Sequence, residues 1–156
     1  IKREVGMARS IQLVNDSSQY MNPVYLPRIK KVSNRNISDL FNVYNVIQYY
    51  PFPSALFEEN SSKNCFLISC PDNSLLQSGI KYEDNLIIDR DIENKLNDGD
   101  IVLILYDNHA LLRYYSKHEN PNNIVLKADS DLIGKEVFSK DEVIIVGKLI
   151  GKYTKY

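Results

Sequence analysis

Few side chains in this sequence combine a reactive type with a context that could use it. Cys65 and Cys70 flank the apolar run Phe66-Leu67-Ile68-Ser69. Five positions apart on a strand they point to opposite faces, so a mutual disulfide would need a bend. They read as two small buried hydrophobes in a reducing cytosol. His109 and His118 are the only histidines, and neither stands at a ligand spacing from a cysteine or carboxylate, so no metal or other cofactor is expected. His109 lies beside a hairpin turn and is expected to face solvent. Ser74 follows the turn residues Pro71-Asp72-Asn73. A serine becomes a nucleophile only when a base takes its proton. Otherwise it is an N-capping or turn residue, and the local sequence leaves both readings open.

The elements that would position these groups are mostly strands. Apolar and β-branched runs occur at 64–69, 85–89, 101–106, 109–115, 123–127 and 142–150. Turn residues separate them, among them Asn97-Asp98-Gly99 and Pro121-Asn122-Asn123. The short spacing predicts antiparallel pairing in a mainly β domain over 51–156 and excludes a doubly wound α/β fold. Eleven tyrosines fit such a domain.

Residues 1–50 read differently, as a linker or arm with one helix near 38–49. Ser38 would cap that helix, Asp39 would sit in its first turn, and Leu40, Phe41, Val43, Tyr44, Val46 and Ile47 would form its apolar surface. Pro51 would end it. No second helix and turn follow, so a helix-turn-helix is not supported. Lys2-Arg3, Arg28, Lys30-Lys31 and Arg35 give the arm a local basic bias, read as a solvated linker rather than a phosphate-tracking segment. Ile11-Gln12-Leu13-Val14 and Val24-Tyr25-Leu26 could add edge strands.

At 156 residues and 44% hydrophobic content, the chain can build one sizeable core. The net charge of −1 exerts no global pull toward nucleic acid. No apolar run reaches membrane-spanning length and no secretory signal is evident. The chain opens on Ile1, as expected of a fragment or processed form from which an upstream DNA-binding domain was removed.

The stretch from Cys70 to Asp89, CPDNSLLQSGIKYEDNLIID, resembles the nucleophile segment of the LexA/UmuD family, the S24 peptidase-type domain of SOS and phage repressors. Ser74 holds the serine position, Gly79-Ile80 follow at the family spacing, and Asp84 to Asp89 supply the turn and the next strand. Gly99-Asp100, the strand Ile101–Tyr106 and the turn Asp107-Asn108 then lead to Arg113, where the family carries its catalytic lysine. Asn123–Ser130 and Val143–Gly151 are similar to later family strands, so the resemblance covers roughly residues 64–156. It implies a compact, highly bent antiparallel β-structure of the LexA C-terminal domain type.

It also implies that the chemistry is lost. The family lysine acts as a base because desolvation lets it shed its proton. A guanidinium stays charged and offers no lone pair. The cleavage position departs as well. Tyr50-Pro51-Phe52-Pro53-Ser54 is similar to the UmuD run after the cut, but Tyr50-Pro51 stands where the family has Cys-Gly. No Ala-Gly or Cys-Gly pair occurs in the sequence. Proline also fixes the backbone there.

The reading is therefore a regulatory and dimerisation domain of a LexA-like or phage-type repressor, cytoplasmic, homodimeric and unable to cut itself. DNA would be reached only through an upstream domain, and an antirepressor protein could be the release trigger. One alternative is an active Ser-Lys autoprotease using Lys117 or Lys127 as base. Lys117 lies four strand residues beyond Arg113, about 13 Å along, which is too far for the same hydrogen bond. The other is a UmuD-like accessory subunit of a translesion polymerase. Tyr114 and Tyr115 also offer rings on which Arg113 could stack.

Overall fold

The computed structural model of the chain describes residues 22–58, 61–129 and 135–153. Among these residues nine strands form one sheet: β1 Pro23–Ile29, β2 Val46–Pro53, β3 Cys65–Ser69, β4 Asn85–Asp89, β5 Ile101–Tyr106, β6 His109–Lys117, β7 Asn123–Lys127, β8 Lys135–Ser139 and β9 Val143–Tyr153. Their order across the sheet is β2-β1-β3-β4-β9-β5-β6-β7-β8. The pairing is antiparallel throughout, apart from a single parallel bridge between Arg28 of β1 and Leu67 of β3. The expected mainly β, antiparallel architecture is therefore present. Register shifts at Arg28/Ile29, Ile87/Ile88 and Leu103/Ile104 interrupt the ladders. Such irregularities bend strands and increase their twist.

The helix expected over 38–49 does not form. Residues 34–45 run mostly through turns, and Val46 already begins β2. Asparagine chemistry explains the difference. The Asn42 side chain accepts the Tyr44 and Asn45 amides and donates to the Asp39 carbonyl. The buried Asn45 side chain donates to the carbonyls of Lys31 and Leu40. These local bonds offer the backbone an alternative to the helical ladder. The apolar spacing did not mark a buried face either, since Val43, Tyr44 and Ile47 are exposed while Leu40 is buried. The segment Val24-Tyr25-Leu26 lies within β1, and β2 is an outermost strand. The run at residues 11–14 and the basic pair Lys2-Arg3 fall outside the described residues.

Strand β9 joins two four-stranded halves. Its first part, Val143 to Lys148, pairs with β5, and its second part, Lys148 to Tyr153, pairs with β4. The handover occurs beside Gly147. A Cβ there would lie 2.5 Å from Ile88 Cγ2 and 2.6 Å from the Asp89 carbonyl oxygen. Only a residue without a side chain permits that approach.

Among the described residues, three hydrophobic clusters fill the interior. The largest includes Ile29, Leu40, Phe66, Ile68, Cys70, Leu75, Ile80, Leu86, Ile88, Leu103, Leu112 and Val146. A second lies under β5–β7 around Val102, Ile104, Tyr115, Ile124 and Leu126. The third, around Leu26, Phe52, Cys65, Leu67 and Ile87, supports the β1–β2 hairpin. Cys65 and Cys70 are free, buried and in different clusters, as their spacing on opposite strand faces requires. Arg28 ties the hairpin to the central strands, donating to Asn85 Oδ1 at 2.6 Å and Ser69 Oγ at 2.7 Å.

Candidate functional site

Ser74 sits in the loop that joins β3 to β4. The ladder extends past the ends of both strands, with the Cys70 amide donating to Asp84 O and the Glu83 amide donating to Cys70 O. Within the loop, Leu75 and Ile80 are buried in the main core and act as its apolar anchors. Gly79, at φ 89°, closes a short 3₁₀ turn over Leu76–Ser78 in the left-handed region that glycine adopts without strain. Asn73 Oδ1 accepts the Tyr82 amide at 2.7 Å, pinning the loop across its width. On the far side, the Asp129 amide donates to Ser74 O at 2.8 Å. Asp129 also takes the Ser78 amide and hydroxyl, at 2.7 and 2.9 Å.

Strands β5 and β6 deliver the second group. Asp107 and Asn108 both adopt positive φ, 52° and 64°, which suits a two-residue hairpin turn. That turn sets Tyr106 opposite His109 and places Arg113 opposite Val102. His109 is exposed, as expected of its place beside the turn, and its Nδ1 lies 2.8 Å from Asp107 O.

The structure brings Ser74 and Arg113 into one hydrogen-bonded cluster, and Asp72 is its hub. Ser74 Oγ donates toward Asp72 Oδ1 at 2.7 Å and toward the Leu112 carbonyl at 2.6 Å. The Ser74 amide also donates to Asp72 Oδ1, at 3.1 Å. Arg113 Nη1 donates to Asp72 Oδ2 at 3.0 Å and to Leu112 O at 2.9 Å. The serine and arginine thus share two acceptors: one carboxylate and one backbone carbonyl. The ion pair is largely sheltered, with 11% of the Arg113 side chain and 23% of the Asp72 side chain exposed. Ser74 is itself 6% exposed. A hydroxyl has one hydrogen, and here both nearby groups are acceptors that compete for it. Neither is an amine.

Other sequence candidates are not gathered here. Lys117 and Lys127 are exposed and paired across β6–β7 with Ile124 and Tyr114. The Arg113 guanidinium is taken up by Asp72 and Leu112 O, while the Tyr114 hydroxyl lies 2.5 Å from Ser78 Oγ. Tyr50 and Pro51 lie within β2, opposite Leu26 and Tyr25, and Tyr50 packs against the third cluster. Leu75 and Leu112, the buried neighbours of the Ser74 site, belong to the first. Pro51 is tolerated because an outermost strand can spare a ladder N–H on its open side.

Burial pushes the Cys70 thiol up to about 11, with the charges of Asp72 and Asp84 adding to the rise and a hydrogen bond to the Asp72 backbone opposing it. Cys65 is pushed up to about 12, by burial first and by the Asp89 charge second. Both thiols are protonated and inert near neutrality. Among the described residues no cluster of His, Cys, Asp and Glu could hold a metal ion. No helix among them is long and apolar enough to cross a membrane.

Sequence reasoning missed Asp72 as a functional residue and read it only as part of a turn. Two signals were available: an acidic side chain two residues before a serine can bond that residue's amide, and the unpaired cation at Arg113 needed an anion.

Comparison with known proteins identifies the family. The model of a family described as Peptidase S24-like matches residues 27–150. The LexA repressor of Clostridium botulinum strain Hall is 26% identical over 156 residues, covering all of this chain and 72% of that protein. The LexA repressor of Clostridium kluyveri strain NBRC 12016 is 26% identical with the same coverage. With four-fifths of its length inside that match, on a bent antiparallel sheet with its serine loop between β3 and β4, the chain belongs to the Peptidase S24-like family and is similar to LexA repressors.

Proposed function

We propose that this chain is the regulatory and dimerisation domain of a LexA-like, cytoplasmic repressor and that it does not cleave itself. The observation that carries the reading is the Ser74 hydroxyl, which faces a carboxylate and a carbonyl where a base should stand. Arg113 occupies the position of the family lysine and is engaged as the cation of an ion pair. The candidate cleavage bond, Tyr50-Pro51, supports the same conclusion. It is held in the regular ladder of β2 and lacks the small, flexible pair that cutting would need.

Dimerisation is supported by the exposure of Ile144 and Ile150 on β9, 41% and 45%, in a strand whose two halves each pair on one side. A two-fold pair of such domains would hold two upstream DNA-binding domains in register with a two-fold operator. Release would then depend on a trigger other than cutting, such as an antirepressor protein.

The test is incubation of the purified protein at pH 7 and pH 10, read by intact mass, with Ser74→Ala as control. Alkaline pH favours a deprotonated amine, so a working Ser-Lys pair would fragment faster there. An intact mass in both conditions is expected, together with a dimer by sedimentation. Serine-dependent fragments would overturn the silent reading, and a monomer at high micromolar concentration would overturn the dimer.

A further inference from the structure

We propose that Asp72 is a second lock on the serine site, independent of the missing lysine: a positioning residue that keeps Ser74 in an unreactive hydrogen bond even when an amine is restored at position 113. This inference rests on the silent reading above and names the residue that maintains it.

The geometry carries the argument. Asp72 spends one carboxylate oxygen on the Ser74 hydroxyl and amide, and the other on Arg113. A lysine at 113 would place an ammonium beside that same carboxylate. An adjacent opposite charge favours the protonated form of an amine. The new lysine would therefore stay charged and could not accept the serine proton. The Ser74 hydrogen would meanwhile remain directed at Asp72 or Leu112 O. Removing the charge at 72 lifts the first restraint and weakens the second, because a neutral amide oxygen and the Leu112 carbonyl hold the hydroxyl less strongly than a carboxylate does. Asp72→Asn does this while keeping a side-chain oxygen for the Ser74 amide.

A fluorophosphonate probe tests the serine without requiring a cleavable peptide bond. In the labelling step the Ser74 Oγ–P bond forms, the P–F bond breaks, fluoride leaves and the serine proton passes to the base. Wild type, Arg113→Lys and the double variant Asp72→Asn/Arg113→Lys are labelled from pH 6 to pH 10, with Ser74→Ala as background. Thermal melts confirm that each is folded.

Wild type and Arg113→Lys are expected to label at background at pH 8. The double variant is expected to label at least about tenfold faster, which corresponds to one pKa unit of released amine. Its rate is also expected to rise at a lower pH than in Arg113→Lys, a change that a purely structural role for Asp72 would not produce. Equal labelling of Arg113→Lys and the double variant would overturn the Asp72 lock and leave the silent reading of the wild type intact. Rapid Ser74 labelling of the wild type would overturn the silent reading itself. Asp72→Ala/Arg113→Lys repeats the test without an amide at 72, and two folded double variants that both fail to label would also overturn the proposal.

Discussion

The serine loop and the β1–β2 hairpin are built on opposite plans. The loop after β3 is held by polar side chains: Asp72 takes the Ser74 hydroxyl and the Arg113 guanidinium, Asn73 the Tyr82 amide, and Asp129 the Ser78 amide. The hairpin that carries Tyr50-Pro51 has a backbone ladder on one side and apolar side chains exposed on its outer part, among them Tyr25, Ile47 and Tyr49. If the silent reading holds, the same loss has been reached by two routes. At the serine it is electrostatic, since an ion pair stands where a base was needed. At the candidate bond it is conformational, since a proline sits in a paired strand. The first can be undone only by changing charges, the second only by changing the backbone.

Breaking the ion pair should expose this difference most strongly. Arg113→Ala leaves the sheltered Asp72 carboxylate without its cation, and a cost of about 2–3 kcal/mol is expected for a charge stripped of a hydrogen-bonding partner. Urea denaturation at pH 7 checks it. A loss below about 0.5 kcal/mol would mean that the pair behaves like an exposed surface bridge.

The two cysteines sharpen the comparison, because Cys70 lies in the cluster beside the serine loop and Cys65 in the one beneath the hairpin. Both thiols are raised by burial, to about 11 and about 12, from an ordinary value of 9.0. A raised thiol contributes stability that is complete below pH 9 and is lost as pH climbs toward 11 and 12, because the unfolded chain releases those protons first. Stability measured from pH 8 to pH 11 is expected to fall over that window, and less so in Cys65→Ala/Cys70→Ala. At pH 8 neither native thiol should react with a disulfide reagent within minutes. Faster labelling of Cys65 than of Cys70 would mark the hairpin as the region that opens first.

The smallest effect is expected on the outer strand. Ile47→Thr replaces an exposed ethyl branch on β2 with a hydroxyl and keeps β-branching, so stability should stay within about 0.5 kcal/mol. A larger loss would show that the hairpin face is covered in solution.

Much of the sheet was legible in the sequence. β3, β4, β5, β6, β7 and β9 are apolar or β-branched runs bounded by turn residues, and Asp107-Asn108 announced its hairpin. β8 was not legible. Its residues, Lys135-Glu136-Val137-Phe138-Ser139, are largely exposed on the outermost strand and lack the apolar signal of a buried run. β2 was hidden by helical spacing in a segment whose asparagines favour turns. At the site, the serine loop and Arg113 could be placed by order and counting. The bridge between them was missed, because Asp72 reads locally as a turn former and meets Arg113 only when β6 folds against the loop.

The position of β9 carries a consequence for the order of assembly. Among the described residues, the β2-β1-β3-β4 and β5-β6-β7-β8 halves share no strand-to-strand ladder except through β9, which follows all of them along the chain. During synthesis, both halves must therefore wait with an open inner edge, on β4 and on β5, until residues 143–153 have left the ribosome. Ladders that close late and across long sequence separations form slowly and leave strand edges open to wrong partners. A stop before residue 143 would leave those two edges unjoined.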